Sequence, residues 1–144
     1  MSMEIHVFSD TRLPSIAAWQ QAIDAEGFDL RLDPEVELAA ASGFLPAMLR
    51  GRQSGFEIFH DDARELMETY ADVPCIKSFP AWNHVISFRW GSRAHEGVSV
   101  FMAATAYAKA TGGVVFEPEE GKGLTLDEGR ELVGVFEKLA LAEK

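Results

Sequence analysis

One cysteine, Cys75, is all the thiol chemistry this sequence holds, which rules out an intrachain disulfide. Long apolar runs are equally scarce. The most apolar stretch, Val98 to Ala110, is too short to cross a bilayer and is interrupted by Ser99, Thr105 and Lys109, so it reads as a buried helix. The opening "MSMEIHVFSD" lacks the basic region and apolar run of a secretory signal, and a cytoplasmic location is expected. Basic residues are outnumbered, 13 Lys and Arg against 23 Asp and Glu for a net charge of −10, and a surface of that sign repels phosphate backbones. Neither nucleic acid nor a membrane is expected as a partner. Also missing are an H-E-x-x-H zinc motif, a G-x-x-x-x-G-K-[ST] phosphate loop, internal repeats and low-complexity segments.

What the chain does have is material for a core. Hydrophobic residues make up 47% of 144, with ten Phe and three Trp, the composition of a globular protein. At this length a fold buries roughly two-thirds of the surface its unfolded chain exposes, so residues 1–144 are read as one domain.

Periodicity divides that domain into elements. Glu4 to Ser9 reads as a strand and "DTRLPS" as a turn and cap leading into a helix. Ile16, Trp19 and Ile23 share one face of that helix, and Gly27 ends it. "FDLRL" alternates as a half-buried strand should, and Asp33-Pro34 predicts a short helix ending near Gly43. Phe44 to His60 predicts a β-hairpin around "RGRQSG" with a loop longer than two residues, and Pro46 belongs at a strand start or sheet edge.

Asp62 with Glu65 starts a short helix, and Ala71 to Asn83, with Pro74 and Pro80, is expected to be loop. Val85 to Trp90 is the clearest strand, with Ile86, Phe88 and Trp90 on one face and Ser87 and Arg89 on the wetter one, which Val85 also joins. Ser92 is the expected cap of a helix to Thr111, whose alanines permit close packing and which Gly112 and Gly113 end. "VVFEPEEG" supplies a last strand and "EEGKGLT" a loop. Thr125 with Glu128 caps a final helix with a Leu132, Phe136, Leu139 stripe. The fold class is therefore α+β, a two-layer sandwich of a mainly antiparallel sheet with helices packed chiefly on one face.

Chemistry-bearing residues are few. His60, Asp61 and Asp62 stand at a strand-to-helix junction and could hold a divalent metal, or act as base and orienter with His84 as a further ligand. Without motif spacing the aspartates read better as helix caps, so no metal and no cofactor is expected. His84 and His95 flank one strand at a separation too long to share an ion, which leaves His95 as a solvent-facing helix-start residue and Glu96 as a complement to the helix dipole. Cys75 lacks any nucleophile signature and reads as a half-buried thiol. Gly91-Ser92 could meet an anion with backbone amides, as any helix start can. Trp82, in the proline-bracketed "SFPAWNH", is either a core residue or an interface anchor.

The segments "QSGFEIF", "VISFRWGSRAHE" and "AYAKATGGVVFEPEEG", in that order between Arg52 and Gly121, resemble small uncharacterised bacterial α+β proteins, some of which are similar to immunity proteins of toxin systems. The resemblance implies a fold and no catalytic residue, because its motifs are packing motifs. The expected function is accordingly a non-enzymatic protein-binding domain that occludes a basic partner such as a toxin domain, with Trp82, Glu57, Asp61, Asp62 and Glu96 as candidate contacts. The alternatives are a metal-assisted hydrolase using His60, Asp61 and Asp62, or a small-molecule-binding module.

Overall fold

The computed structural model describes residues 3–143. Seven strands, β1 (Met3–Ser9), β2 (Leu30–Leu32), β3 (Gly43–Leu49), β4 (Arg52–Phe59), β5 (His84–Trp90), β6 (Val114–Glu117) and β7 (Lys122–Leu124), form one sheet in the order β2-β3-β4-β5-β1-β6-β7. Every adjacent pair is antiparallel. Five helices complete the fold: α1 (Ile16–Ala25), α2 (Ala63–Thr69), α3 (Pro74–Lys77), α4 (Ala94–Thr111) and α5 (Leu126–Ala142). The α+β class with helices packed on an antiparallel sheet is thus the architecture observed.

Alternation along the strands creates two faces of different character. Ile5 and Val7 of β1, Leu45, Ala47 and Leu49 of β3, Phe56 and Ile58 of β4, and Ile86, Phe88 and Trp90 of β5 are buried together with α1, α4 and α5. Trp19 of α1 anchors this core, fully buried, edge-on to Phe56, Phe88 and Tyr107, with its indole N–H donating to the Ala103 carbonyl at 2.9 Å. The opposite face is only half covered. Over β5, β1 and β6 it packs Phe8, Val85 and Phe116 against α2, α3 and the segment after them. Over β3 it leaves Phe44 and Met48 exposed.

Val85 is therefore no exception on a wet face. It belongs to a second, smaller core that the two short helices close.

Several local expectations are corrected. No α-helix follows Asp33-Pro34: the Asp33 carboxylate accepts the Glu35 amide at 3.0 Å and closes a turn, leaving a single 3₁₀ turn at Leu38–Ala40. The β3–β4 connection has two residues, Arg50 (φ 52°) and Gly51 (φ 78°), both left-handed as in a type I′ turn, and "RQSG" lies inside β4. Arg50 bears this conformation because its amide donates to the Asp29 carbonyl and its guanidinium to Glu137. Pro46 pairs opposite Gly55, one residue past the end of β2, and its carbonyl accepts the Asp33 amide at 3.1 Å. Pro74 opens α3 within the expected loop, and "EEGKGLT" contains β7.

The α4 start differs too. Arg93 occupies the cap position without a side-chain bond, and the Glu143 carboxylate, arriving from the end of α5, accepts the Ala94 amide at 2.8 Å. Helix α4 is buried over almost its whole length, and α5 lies close against it because Gly97 faces the Phe136 ring and Gly129 faces Thr105. Within α5, Val133 is buried, Leu132 and Phe136 are half-buried and Leu139 is exposed, so the apolar stripe ends a turn early.

Two glycine substitutions test this packing. A Cβ at Gly113 would run into the Phe8 backbone carbonyl, so Gly113→Ala is expected to destabilise the fold by about 1–3 kcal/mol in urea unfolding. Gly134, inside α5 with open space around it, should behave oppositely, Gly134→Ala stabilising by about 0.5–1 kcal/mol.

Candidate functional site

The β6–β7 hairpin borders a cleft. Strand β6 pairs with β1 only at His6 to Phe8, then turns away through Pro118. Met3 to Ile5 of β1 are thereby left facing a cleft of about 480 Å³ bounded by the hairpin and α5. Its floor is apolar, built from Ile5, Trp90, Phe101, Leu124, Leu132 and Phe136. The aromatic part is ordered: Phe101 stacks on Phe136 with ring centres 5.3 Å apart, and Trp90 stands edge-on to both.

The rim is acidic. Glu4, Glu117, Glu119, Glu120, Glu128 and Glu131 line it, and among the described residues Lys122 is the single cationic one in the lining. Local bonds explain part of this set. The Glu117 carboxylate accepts the Glu119 and Glu120 amides and shapes the hairpin turn. Glu128 completes the Thr125 capping box and pairs with Lys122 at 3.1 Å, so hydrogen bonds from the Thr125 backbone and then Lys122 hold its carboxyl below the usual range. Among the described residues no basic side chain pairs with Glu119, Glu120 or Glu131, all of which are exposed. An apolar floor under carboxylates suits a ligand with an aliphatic body and a cationic head.

A second polar feature lies beneath α2. Asp61 accepts the Ser87 hydroxyl proton at 2.6 Å, and the Ser87 oxygen lies 2.7 Å from Nδ1 of the fully buried His6. A hydroxyl has one proton, so with Ser87 donating to Asp61 it must accept from His6, which fixes the Nδ1–H tautomer. Nε2 then carries a lone pair and has no hydrogen-bond partner among the described residues; Glu4 Oε2, itself an acceptor, stands 3.5 Å away.

Burial pushes the His6 pKa down to about 4, against the attraction of Asp61 and with a smaller push from Arg89. The order Asp–Ser–His reverses that of a nucleophilic triad, where histidine stands between serine and acid and takes the serine proton. Here the hydroxyl proton points to the carboxylate, on a serine that solvent does not reach.

The candidate residues read from the sequence are dispersed among separate local tasks. His60 bonds through Nε2 to the Leu38 carbonyl, Asp61 holds Ser87, and the Asp62 carboxylate caps α2 by accepting the Glu65 amide. His84 accepts from Arg12 at 3.1 Å. His95 is buried, in contrast to the solvent-facing position expected for it, and burial first, then Arg52, lowers its pKa. Glu96 is in the first turn of α4, and Glu57 is exposed on β4 opposite Arg89. Cys75 is half-buried in α3. Among the described residues no three His, Cys, Asp or Glu side chains converge as a metal site would require.

Sequence reasoning did not single out the cleft or His6. The signal for the first was the spacing of Glu117, Glu119, Glu120, Glu128 and Glu131 around a lone lysine. That spacing becomes one surface only when β7 folds back and α5 runs beside it. Compared with known proteins, the chain matches no family model, and no significant match to a curated protein or a solved structure is found.

Trp82 is half-buried against the second core and borders a hollow with Arg64, Met67 and Lys77. Its indole nitrogen is buried without a hydrogen-bond partner among the described residues. The packing predicts that Trp82→Ala lowers stability by about 2 kcal/mol in thermal or urea unfolding, and a neutral substitution would show the ring to be energetically free for a partner.

Proposed function

We propose that this chain is a non-catalytic binding domain that occludes a cationic protein partner, with the glutamate-rimmed cleft between the β6–β7 hairpin, β1 and α5 as its contact region. The observation that carries the reading is the cleft itself: exposed carboxylates of Glu119, Glu120 and Glu131 without basic partners among the described residues, over an ordered aromatic floor. The net charge of −10 supports it, because a field of one sign steers a basic partner toward the surface and raises the association rate. A lysine or arginine side chain laid into the cleft places its methylenes on Phe136 and Leu132 while its head meets the rim. A basic toxin domain, the partner suggested by the resemblance to immunity proteins, has that chemistry. Glu57, Asp61, Asp62 and Glu96 add to the surrounding field, although Asp61 and Asp62 also serve the fold.

The test uses a lysine-rich peptide bearing leucines as probe, with rates measured by surface plasmon resonance at several salt concentrations. Joint replacement of Glu119, Glu120 and Glu131 by glutamine is expected to slow association about tenfold and to flatten its salt dependence, since screening already limits exposed charges to roughly 8 Å at physiological ionic strength. Asp62→Asn keeps a good helix cap and removes one charge away from the cleft, so it should change the rate far less. Equal effects of the two would place binding outside the cleft.

A further inference from the structure

We propose that Lys122 is a tethered stand-in for the partner's cation: its ammonium occupies the head-group position of the glutamate-rimmed cleft, at Glu128, and a lysine of the bound partner displaces it. The inference rests on the cleft as contact region, and it adds which carboxylate receives the partner's charge and what competes for that place.

Two elements build this contact. Side chains alternate along β7, and Leu124 packs in the main core with Leu132 and Phe136 of α5, so Lys122, two residues earlier, projects from the same face toward that helix. There it lines the cleft, with Nζ donating to Glu128 Oε2 at 3.1 Å. The carboxylate it meets is fixed. Glu128 Oε1 accepts the Thr125 amide at 3.0 Å, the return half of the capping box, which leaves Oε2 aimed at the lysine. A carboxylate anchored through one oxygen and presenting the other is a preorganised acceptor for an ammonium group.

The present occupant is held weakly. The Lys122 side chain is half exposed, and water competes with an ion pair of that kind. Its pKa is raised by the hydrogen bond to Glu128 first, with the charges of Glu120 and Glu131 adding, so the ammonium stands in the field of the rim carboxylates that have no basic partner among the described residues. Arg130, the basic residue next along α5, is committed elsewhere, to Glu26 and Asp127.

Displacement exchanges like for like. The pair lost within the chain is replaced by an equal pair across the interface, so a free ammonium ion gains little by entering. A ligand gains when its chain also covers Leu132 and Phe136. Lys122 thereby makes the cleft selective, favouring lysines set among apolar neighbours over isolated cations.

The test uses the full chain and the same peptide of lysines and leucines. Lys122→Met keeps an apolar stem and removes the charge, and it should tighten binding about fivefold, slowing dissociation as well as quickening association, because Glu128 is then open. Lys122→Arg keeps a competitor in place and should bind within about twofold of the native chain. Lys138→Met removes one positive charge from the exposed side of α5 outside the cleft lining, so it should alter association by less than about twofold and leave dissociation unchanged. In the native chain, ¹⁵N NMR of the lysine ammonium groups should show the Lys122 signal moving to the position of free lysine at saturating peptide. The stand-in is overturned if Lys122→Met binds like the native chain, if Lys138→Met gives an equal gain, or if the Lys122 signal does not move, even where glutamines at Glu119, Glu120 and Glu131 slow association. Should those glutamines have no effect on binding, the cleft reading falls and the stand-in falls with it.

Discussion

Burial of α4 is the constraint on which the rest of the structure depends. A helix enclosed over nearly its whole length must be lined by small or apolar residues, and Ala103, Ala104, Ala106 and Ala108 allow the sheet, α1 and α5 to approach together. Each neighbour brings a device for that approach. Trp19 of α1 lies edge-on to the sheet aromatics and bonds a carbonyl inside α4, and glycines at Gly97 and Gly129 let α5 come close. Ion pairs tie the ends together: Glu26, closing α1, receives Arg130 of α5 and Lys109 of α4, and hydrogen bonding to Arg130 foremost keeps its carboxyl below the ordinary range.

That arrangement determines where function can sit. With α1, α4 and α5 covering one face of the sheet, an opening is left where β6 parts from β1 and α5 passes beside the hairpin. The Phe101–Phe136 stack that floors the cleft is the same contact that seats α5 on α4, so the floor of the cleft is part of the main helix packing. The opposite face is built differently. Two short helices cover its β5, β1 and β6 part, with the Asp61–Ser87–His6 hydrogen-bond chain buried at their entrance, while the β3 part stays open.

Legibility in the sequence tracked the range of the interactions involved. β5, α4, α1 and α5 announce themselves because periodicity and caps such as Ser15, Asp62 and Thr125 act within a few residues. Elements governed by distant partners carry no such local signal. The Arg50-Gly51 turn depends on bonds to Asp29 and Glu137, the α4 cap comes from Glu143 some fifty residues on, and β7 is a strand because β6 is beside it. The site followed the same division. Each carboxylate was visible as a charge, yet nothing local distinguished a capping aspartate from one that holds a buried serine.

The sequence by itself determined an acidic α+β fold with one thiol, strong local helix starts and a core rich in phenylalanine, since composition, charge and short-range hydrogen bonding are properties of adjacent residues. Only the tertiary structure decided that five glutamates from a hairpin and a helix share one cleft, and that His6, Ser87 and Asp61, as much as 81 positions apart, touch. The physical reason is that strand pairing and helix packing bring together groups whose separation along the chain carries no information about their distance in space, and burial then sets the charge each of them can hold.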